Sequence, residues 1–415
     1  MIDGRPSDLP QLLAGVRVLD LSTIVAGPAA SMVLADFGAD VIKVERPGTG
    51  EDARAMGPHR GSWGAYFTPL NRGKRSAAID ITTPAGREAV LRIASTCDVL
   101  LENFRGGKAA ALGLDEASVR ERKPDIVYAS ISAYGPGGPD YTRPGYDAVL
   151  QARSGIMSVT GMSGSESETP LRAGVSILDL GTGMWMTVGI LAALLERQRS
   201  GKGQRVDASL LQTGVMFMCY HLLYRQFAGV NPKPQGSRHT AFAPYGAYPT
   251  SDGAIMIGIS SDKAFRRLAE ALGRPEWLED PRFRTNPDRV HNTPALDECI
   301  SAILRSNTMA HWTAVLDRYD VANDPVQNAE QLMSDRQVQA LGQLERVPLA
   351  GTEAALLPRL PLGFSLTPPA IQGPPPEVGE HTEAVLREAG FTEAEIEELV
   401  SAGICGRKGV SPCQA

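Results

Sequence analysis

Cysteine is scarce in this sequence and poorly placed for a shared task. The five residues, at 97, 219, 299, 405 and 413, are odd in number, widely spaced and without a CxxC pair. That pattern excludes a disulfide framework, leaves no metal to be expected, and predicts reduced thiols in a cytoplasmic protein. Basic residues are outnumbered, 41 Lys and Arg against 47 Asp and Glu, a net charge of −6. The chain therefore offers no basic footprint, and nucleic acid is not an expected partner. No apolar run reaches the roughly 18–20 residues that span a bilayer. The longest candidate, Val175 to Leu195, is broken by Asp179, Gly181, Gly183 and Gly189, so no membrane association is expected. The opening Met1-Ile-Asp-Gly-Arg-Pro-Ser-Asp lacks the basic and apolar regions of a signal peptide.

What is present is length: 415 residues, with 43 glycines and 30 prolines spread without a period. This suggests two or three domains, or one large domain with an insertion, and a loop-rich globular character. Through residue 132, short β-rich runs alternate with helical patterns. Strands are predicted at Val16–Leu21, Val41–Glu45, Ser76–Ile81, Val99–Leu101 and Ile126–Ser132. Helices are predicted near 28–37 and from Pro84 to about Ser95, the latter with Thr83 as N-cap. Such alternation implies a parallel sheet covered on both faces. A helix near 147–153, a long one from about Leu180 to Arg199, a short strand near Arg205–Ala208 and a helix to about Phe227 follow. Beyond Pro232 the pattern changes to a hairpin over 245–259 and helices near 261–272, 295–305 and 308–318, a smaller domain. The Pro-rich stretch 358–376 reads as a connection back, Thr392-Glu-Ala-Glu395 as a capping box, and the tail holding Cys405 and Cys413 as disordered.

Three features carry chemistry. The turn Leu21-Ser-Thr-Ile-Val-Ala-Gly-Pro28 joins a strand to a helix, a junction that directs backbone amides at an anion. A single Gly27 followed by Pro28 does not make the GxGxxG of a nicotinamide site, although a nucleotide-bearing ligand stays open. Two basic clusters, Lys43-Val-Glu-Arg46 and Asn71-Arg-Gly-Lys-Arg75, are either solvated faces or holders of a phosphorylated ligand. Asp179 stands in an apolar run that feeds a long helix; it is either a helix cap or a partly buried carboxylate nucleophile. In the second case the amide of Gly181 is a candidate oxyanion donor. Among the histidines, His221 reads as a core residue on an apolar helix and His239 as a substrate-pocket candidate.

These features occur together, in this order, in the class III coenzyme A transferases, and the chain resembles that family over about residues 12–395. The motifs that carry the likeness are Leu13-Ala-Gly-Val-Arg-Val-Leu-Asp-Leu-Ser22, Ala26-Gly-Pro28, Gly38-Ala-Asp-Val-Ile-Lys-Val-Glu-Arg-Pro47 and Leu70-Asn-Arg-Gly-Lys-Arg75. Asp98-Val-Leu-Leu-Glu-Asn-Phe104, Arg143-Pro-Gly-Tyr-Asp147 and Gly201-Lys-Gly-Gln204 complete them. The resemblance implies an α/β fold: a Rossmann-like large domain with a smaller inserted α/β domain, in a ring-shaped subunit of an interlocked homodimer. Boundaries are expected at 1–227 for the first part of the large domain, 228–243 for a linker, 244–345 for the small domain and 346–415 for the return.

By the same resemblance Asp179 is the nucleophile, and the coenzyme lies against Ile24, Val25, Ala26, Arg46, Lys74 or Arg75, Asn103, Phe104 and Leu210. No permanent cofactor is implied, only acyl-CoA and a small free carboxylic acid as substrates. Where many members have an arginine this chain has Ala111, and Arg105 or Lys108 is expected to supply the charge. Where members often have a glycine-rich lid this chain has Gly258-Ile-Ser-Ser261. Related α-methylacyl-CoA racemases carry a histidine at the position of Tyr146, and tyrosine is a poor neutral-pH base, which favours transfer over racemisation. Tyr146, Arg238, His239 and Tyr245 are the expected substrate contacts, with Arg238 facing the second carboxylate of a C4–C5 dicarboxylate such as itaconate, mesaconate or citramalate.

Overall fold

The computed structural model describes residues 11–162 and 170–408. Chain contacts divide it into two compact units. The first is assembled from Met1–Gly155, Ala173–Cys219 and Gln339–Ala415, the second from Ile156–Arg172 and Tyr220–Val338. The second unit thus begins before the expected linker at 228–243 and draws in a separate stretch, 156–172.

Six strands in the first unit run parallel: β1 (Arg17–Asp20), β2 (Asp40–Glu45), β3 (Arg75–Ile79), β4 (Val99–Glu102), β5 (Val127–Ser132) and β6 (Arg205–Ser209). Their order across the sheet is β3-β2-β1-β4-β5-β6, that of a doubly wound dinucleotide-binding sheet. The apolar runs of β1, β2 and β4 follow from burial on both faces, as parallel sheets require. One face packs Leu19, Ile42, Leu100 and Tyr128 against Val90 and Ile93 of helix Pro84–Ala94 and Val385, Leu386 and Ile396 of the returning chain. Thr392 and Glu395 form the expected capping box. The tail read as disordered instead supplies a seventh, antiparallel strand, Cys405–Gly406, on the outer edge of β3. Cys405 is buried there, and Cys413 lies outside the described residues.

Four helices position the site: α1 (Ala26–Asp36), α2 (Asp147–Ser154), α3 (Ile177–Ser200) and α4 (Leu210–Phe217). By length and composition α3 is apolar enough to cross a membrane, although its glycines and Asp179 argued otherwise; half of it is buried in the protein. It lies close to α1 because Gly183 has no side chain: a Cβ there would sit 2.7 Å from the Ala26 carbonyl oxygen and 3.0 Å from Ala29 Cβ. Gly183→Ala is therefore expected to destabilise by about 1–3 kcal/mol, because the overlap is with backbone. That exceeds the roughly 0.5–1 kcal/mol a helix gains from alanine. A urea midpoint unchanged or raised would show that the two helices separate freely.

The second unit holds an antiparallel sheet of β7 (Tyr245–Pro249), β8 (Ala254–Gly258) and β9 (Asn323–Pro325), with β8 in the middle. Its core joins Ile255, Ile257, Phe265, Trp277, Phe283, Leu296, Ile300 and Leu316. Gly258 ends β8 and Ser261 N-caps helix Asp262–Ala271, so the stretch matching the family's lid is a strand end and a helix cap. The second unit also contains most of α5 (Cys219–Ala228), which has no buried residue. His221, expected in a core, is partly exposed on it.

Candidate active site

Strand order reverses between β1 and β4, and at such a switch point the loops leaving the carboxyl ends of the two strands diverge to leave a crevice. Here those loops are Leu21–Val25 and Asn103–Gly106. The Asn103 side chain buckles them together: Thr23 N–H donates to its Oδ1 at 2.9 Å, and its Nδ2 donates to the Thr23 carbonyl at 2.8 Å. Asn103 thus lines the crevice while its amide is committed to the protein's own backbone.

The first turn is held from behind by charge. Asp20, fully buried, accepts from Ser22 N–H and from the hydroxyls of Ser22 and Ser31, and its Oδ2 lies 3.1 Å from Lys74 Nζ. Lys43, also buried, donates to the Ser22 carbonyl at 2.8 Å and pairs with Glu51 at 2.9 Å. Glu51 Oε2 in turn accepts the Ile24 N–H at 2.7 Å. Ile24 has φ +70°, a left-handed conformation that a β-branched residue adopts only under constraint. The turn is tight because a Cβ on Gly27 would fall 2.2 Å from Ser22 Cβ. These groups aim Ile24, Val25 and Ala26 into a cleft of about 290 Å³.

Phe104, Arg105 and Leu210 complete the wall, with Tyr146 at the rim and Asp179 reaching in from the first turn of α3. A second depression of about 240 Å³ meets the first at Thr23 and Phe104, floored by Val44, Ile79, Ile81 and Leu112 and edged by Arg46 and Lys108. Arg46 also binds the Gly50 carbonyl and Asp52, and Arg105 donates from Nε to the Thr142 carbonyl.

Asp179 caps nothing. Among the described residues its carboxylate has no hydrogen-bond or ion-pair partner, and burial, with Asp147 adding like-charge repulsion, pushes it up to about 7. Asp147 takes the capping role, its Oδ2 accepting from the amides of Leu178 at 2.8 Å and Asp179 at 3.0 Å. Ser176, at the N-cap position, contributes no side-chain bond.

Three sequence-based expectations require correction. Lys74 does not line the cleft; its ammonium is enclosed by Asp20, Asn71 Oδ1 at 2.8 Å and the Pro28 carbonyl. Arg75 opens β3, so it lies at the amino edge of the parallel sheet, opposite the cleft, pairing with Asp40 and Glu388. Gly181 is the fifth residue of α3, its amide inside the helical ladder and its α-carbon facing Phe217 and Thr213 of α4. Arg238, expected to face a substrate carboxylate, pairs with Asp297 at 2.6 Å in the second unit. Tyr248 donates to the other oxygen of Asp297 at 2.7 Å. His239 and Tyr245 belong to the same unit, their ring centroids 5.4 Å apart. Sequence reasoning missed Arg143, which lines the cleft with its guanidinium 5.5 Å from the Tyr134 ring, and Asp147. Both stand in the Arg143–Asp147 motif, which was the available signal.

The sequence pattern of CoA-transferase family III matches residues 13–382. Human succinyl-CoA:glutarate CoA-transferase is 35% identical over 97% of this chain and 92% of its own length. Succinyl-CoA–D-citramalate CoA-transferase of Chloroflexus aurantiacus is 33% identical over 94% of this chain and 97% of its own. The crystal structure of a CAIB/BAIF family protein from Brucella suis superposes with a TM-score of 0.83 at 34% identity, covering 91% of this chain and 98% of that one.

Proposed function

The chain belongs to CoA-transferase family III and is a CoA-transferase; we propose that it moves coenzyme A reversibly from succinyl-CoA, or a closely similar acyl-CoA, to a small free dicarboxylate. The observation that carries the reading is Asp179, a carboxylate with no partner among the described residues, reaching into a cleft at the switch point of a doubly wound sheet. The relatives named for glutarate and citramalate support a C4–C5 dicarboxylate, which includes the mesaconate and itaconate classes. The coenzyme would run over Ile24, Val25 and Ala26, past Phe104 and Leu210, with its charged groups met by Arg46, Lys108, Arg105 and Arg143. Either Arg105 or Lys108 would then stand in for the arginine replaced by Ala111.

In this reading ionised Asp179 attacks the donor thioester, forming a mixed anhydride and releasing CoA thiolate. The thiolate attacks the aspartyl carbonyl, the donor acid leaves, and an Asp179–CoA thioester remains. The acceptor acid then runs the sequence backwards. Covalent catalysis suits the exchange because each intermediate keeps the activation of the thioester instead of losing it to water. Neither step requires a metal or a redox cofactor.

We further propose an intertwined homodimer. On α3 the side chains of Leu180, Met184, Val188 and Leu195 form an exposed apolar stripe, and α5 exposes Tyr220, Leu223 and Phe227. Faces of this kind are those that obligate interfaces cover.

Succinyl-CoA mixed with a panel of free acids, followed by mass spectrometry, should yield new CoA esters with small dicarboxylates. Solvent deuterium entering the α-carbon without any new ester would replace this reading with a racemase. Arg143→Ala is expected to raise the KM for acyl-CoA about tenfold with kcat within about threefold, as for loss of one charge-assisted contact. A KM unchanged in that variant would remove Arg143 from the coenzyme's path.

A further inference from the structure

Among the described residues, Asp147 is the one charged side chain bonded to the backbone of the nucleophile. Its Oδ2 gathers the Leu178 and Asp179 amides, which belong to the first turn of α3 and would otherwise point at any anion nearby. Its Oδ1 accepts from Gln151 Nε2, and Gln151, fully buried, receives the Ala173 N–H on its own carbonyl at 2.8 Å. The carboxylate is thus fixed on both oxygens, and the favourable end of the helix dipole is occupied before the nucleophile can use it. Asp179 is left with burial and a neighbouring negative charge.

We propose that Asp147 is a positioning residue for Asp179: it pins the Leu178–Asp179 backbone and, by its charge, makes Asp179 a stronger nucleophile and a poorer leaving group. The proposal rests on the two-step covalent reading above. In the mixed anhydride the CoA thiolate has two carbonyls to choose from. Attack at Asp179 Cγ forms the new S–C bond, breaks the Cγ–O bond and places the electron pair on the departing donor carboxylate. Attack at the acyl carbon breaks the other C–O bond, returns the electron pair to Asp179 and only regenerates the donor. Charge expelled onto Asp179 is repelled by Asp147, whereas charge expelled onto the donor acid is not opposed by that residue. The pair therefore favours the forward cleavage.

Other titratable or charged groups near Asp179 within the first unit are few. Tyr146, Tyr141, Arg105 and Arg143 line the same cleft. Helix α4 contributes none, and α1 only Asp36, at the end remote from Ala26 and paired with Arg72.

The test compares full-length wild type with Asp147→Asn, which keeps the shape and one acceptor oxygen. In wild type, kcat/KM for succinyl-CoA should fall on the acid side of about pH 7, because only ionised Asp179 attacks. In Asp147→Asn the acid limb should move about one pH unit lower, the direction expected on removing a like charge. At pH 8.5, where both enzymes hold Asp179 ionised, the rate of Asp179–CoA adduct formation should fall roughly tenfold or more, with KM changed little. Circular dichroism and thermal melting of the variant, together with Gln151→Glu as a second perturbation of the same carboxylate, separate a tuning role from a folding one. An acid limb that stays in place in a folded Asp147→Asn protein overturns the proposal. Absence of any CoA adduct on wild-type Asp179 would instead overturn the covalent reading itself.

Discussion

Asp179→Asn is expected to lower kcat for CoA transfer by roughly 10⁴-fold or more, since the proposed covalent route cannot run once its acceptor carboxylate is gone. The same variant should be more stable than wild type at pH 8. The reason is the direction of the shift. The Asp179 carboxyl is pushed up from 3.8 to about 7 in the folded protein, by burial first and by Asp147 second. A group raised on folding contributes its full stability below its unfolded value, and that contribution is lost as pH rises through the folded one. Asparagine carries no such penalty, so its melting temperature should exceed that of wild type by a few degrees at pH 8 and match it near pH 4. Calorimetry at the two pH values, beside a transfer assay, measures both effects. Retained activity would end the nucleophile assignment, and a pH-independent stability difference would mean that Asp179 is not desolvated.

Asp20→Ala is expected to remove about 3–5 kcal/mol of stability, the usual consequence of leaving a buried charge without its partner. Burial alone would raise the Asp20 carboxyl. Lys74 and Lys43, with the hydroxyls of Ser22 and Ser31, outweigh that and hold it well below the ordinary carboxylate range. The stabilisation is therefore complete above about pH 4 and is lost only as pH falls through the depressed value. In Asp20→Ala the ammonium of Lys74 would be left in an enclosure with no carboxylate in contact, since its other partners are an amide oxygen and a carbonyl. Adding Lys74→Met should restore part of the loss, because an apolar side chain tolerates the enclosure that a cation does not. A double-mutant cycle by urea unfolding should give a coupling of about 1–3 kcal/mol. Additive losses would show that the two residues act independently and that the turn is held by packing.

The parallel sheet was legible because β1, β2 and β4 are short apolar runs separated by helix-length intervals, a pattern set by burial on both faces. Ile24, Val25, Ala26, Phe104, Arg105 and Leu210 were named through the family resemblance, and all six line the cleft, beside the carboxyl ends of strands. The charges were harder to read. Lys74 and Arg75 are adjacent in sequence and both basic, yet one enters a buried network and the other an ion pair at the far edge of the sheet. Lys74 precedes β3 and Arg75 opens it, so the two side chains enter different surroundings, and composition cannot say which carboxylate each one meets. Arg238 carried no mark of its pairing because Asp297 lies 59 residues away along the chain. Cys405–Gly406 was missed for another reason: two residues are too few to show a period, and the strand exists only because β3 offers an unpaired edge.

That short strand has a consequence for the birth of the protein. The outer edge of β3 stays open from the time residue 79 leaves the ribosome until His381 and Thr382, and last Cys405, follow to bond to it, and every residue of the second unit is made in the interval. The chain can fold its antiparallel unit as it emerges, while the parallel sheet must wait with one side unsealed. An open strand edge invites pairing with other chains. Nascent or prematurely terminated copies are therefore the form of this protein most in need of a chaperone.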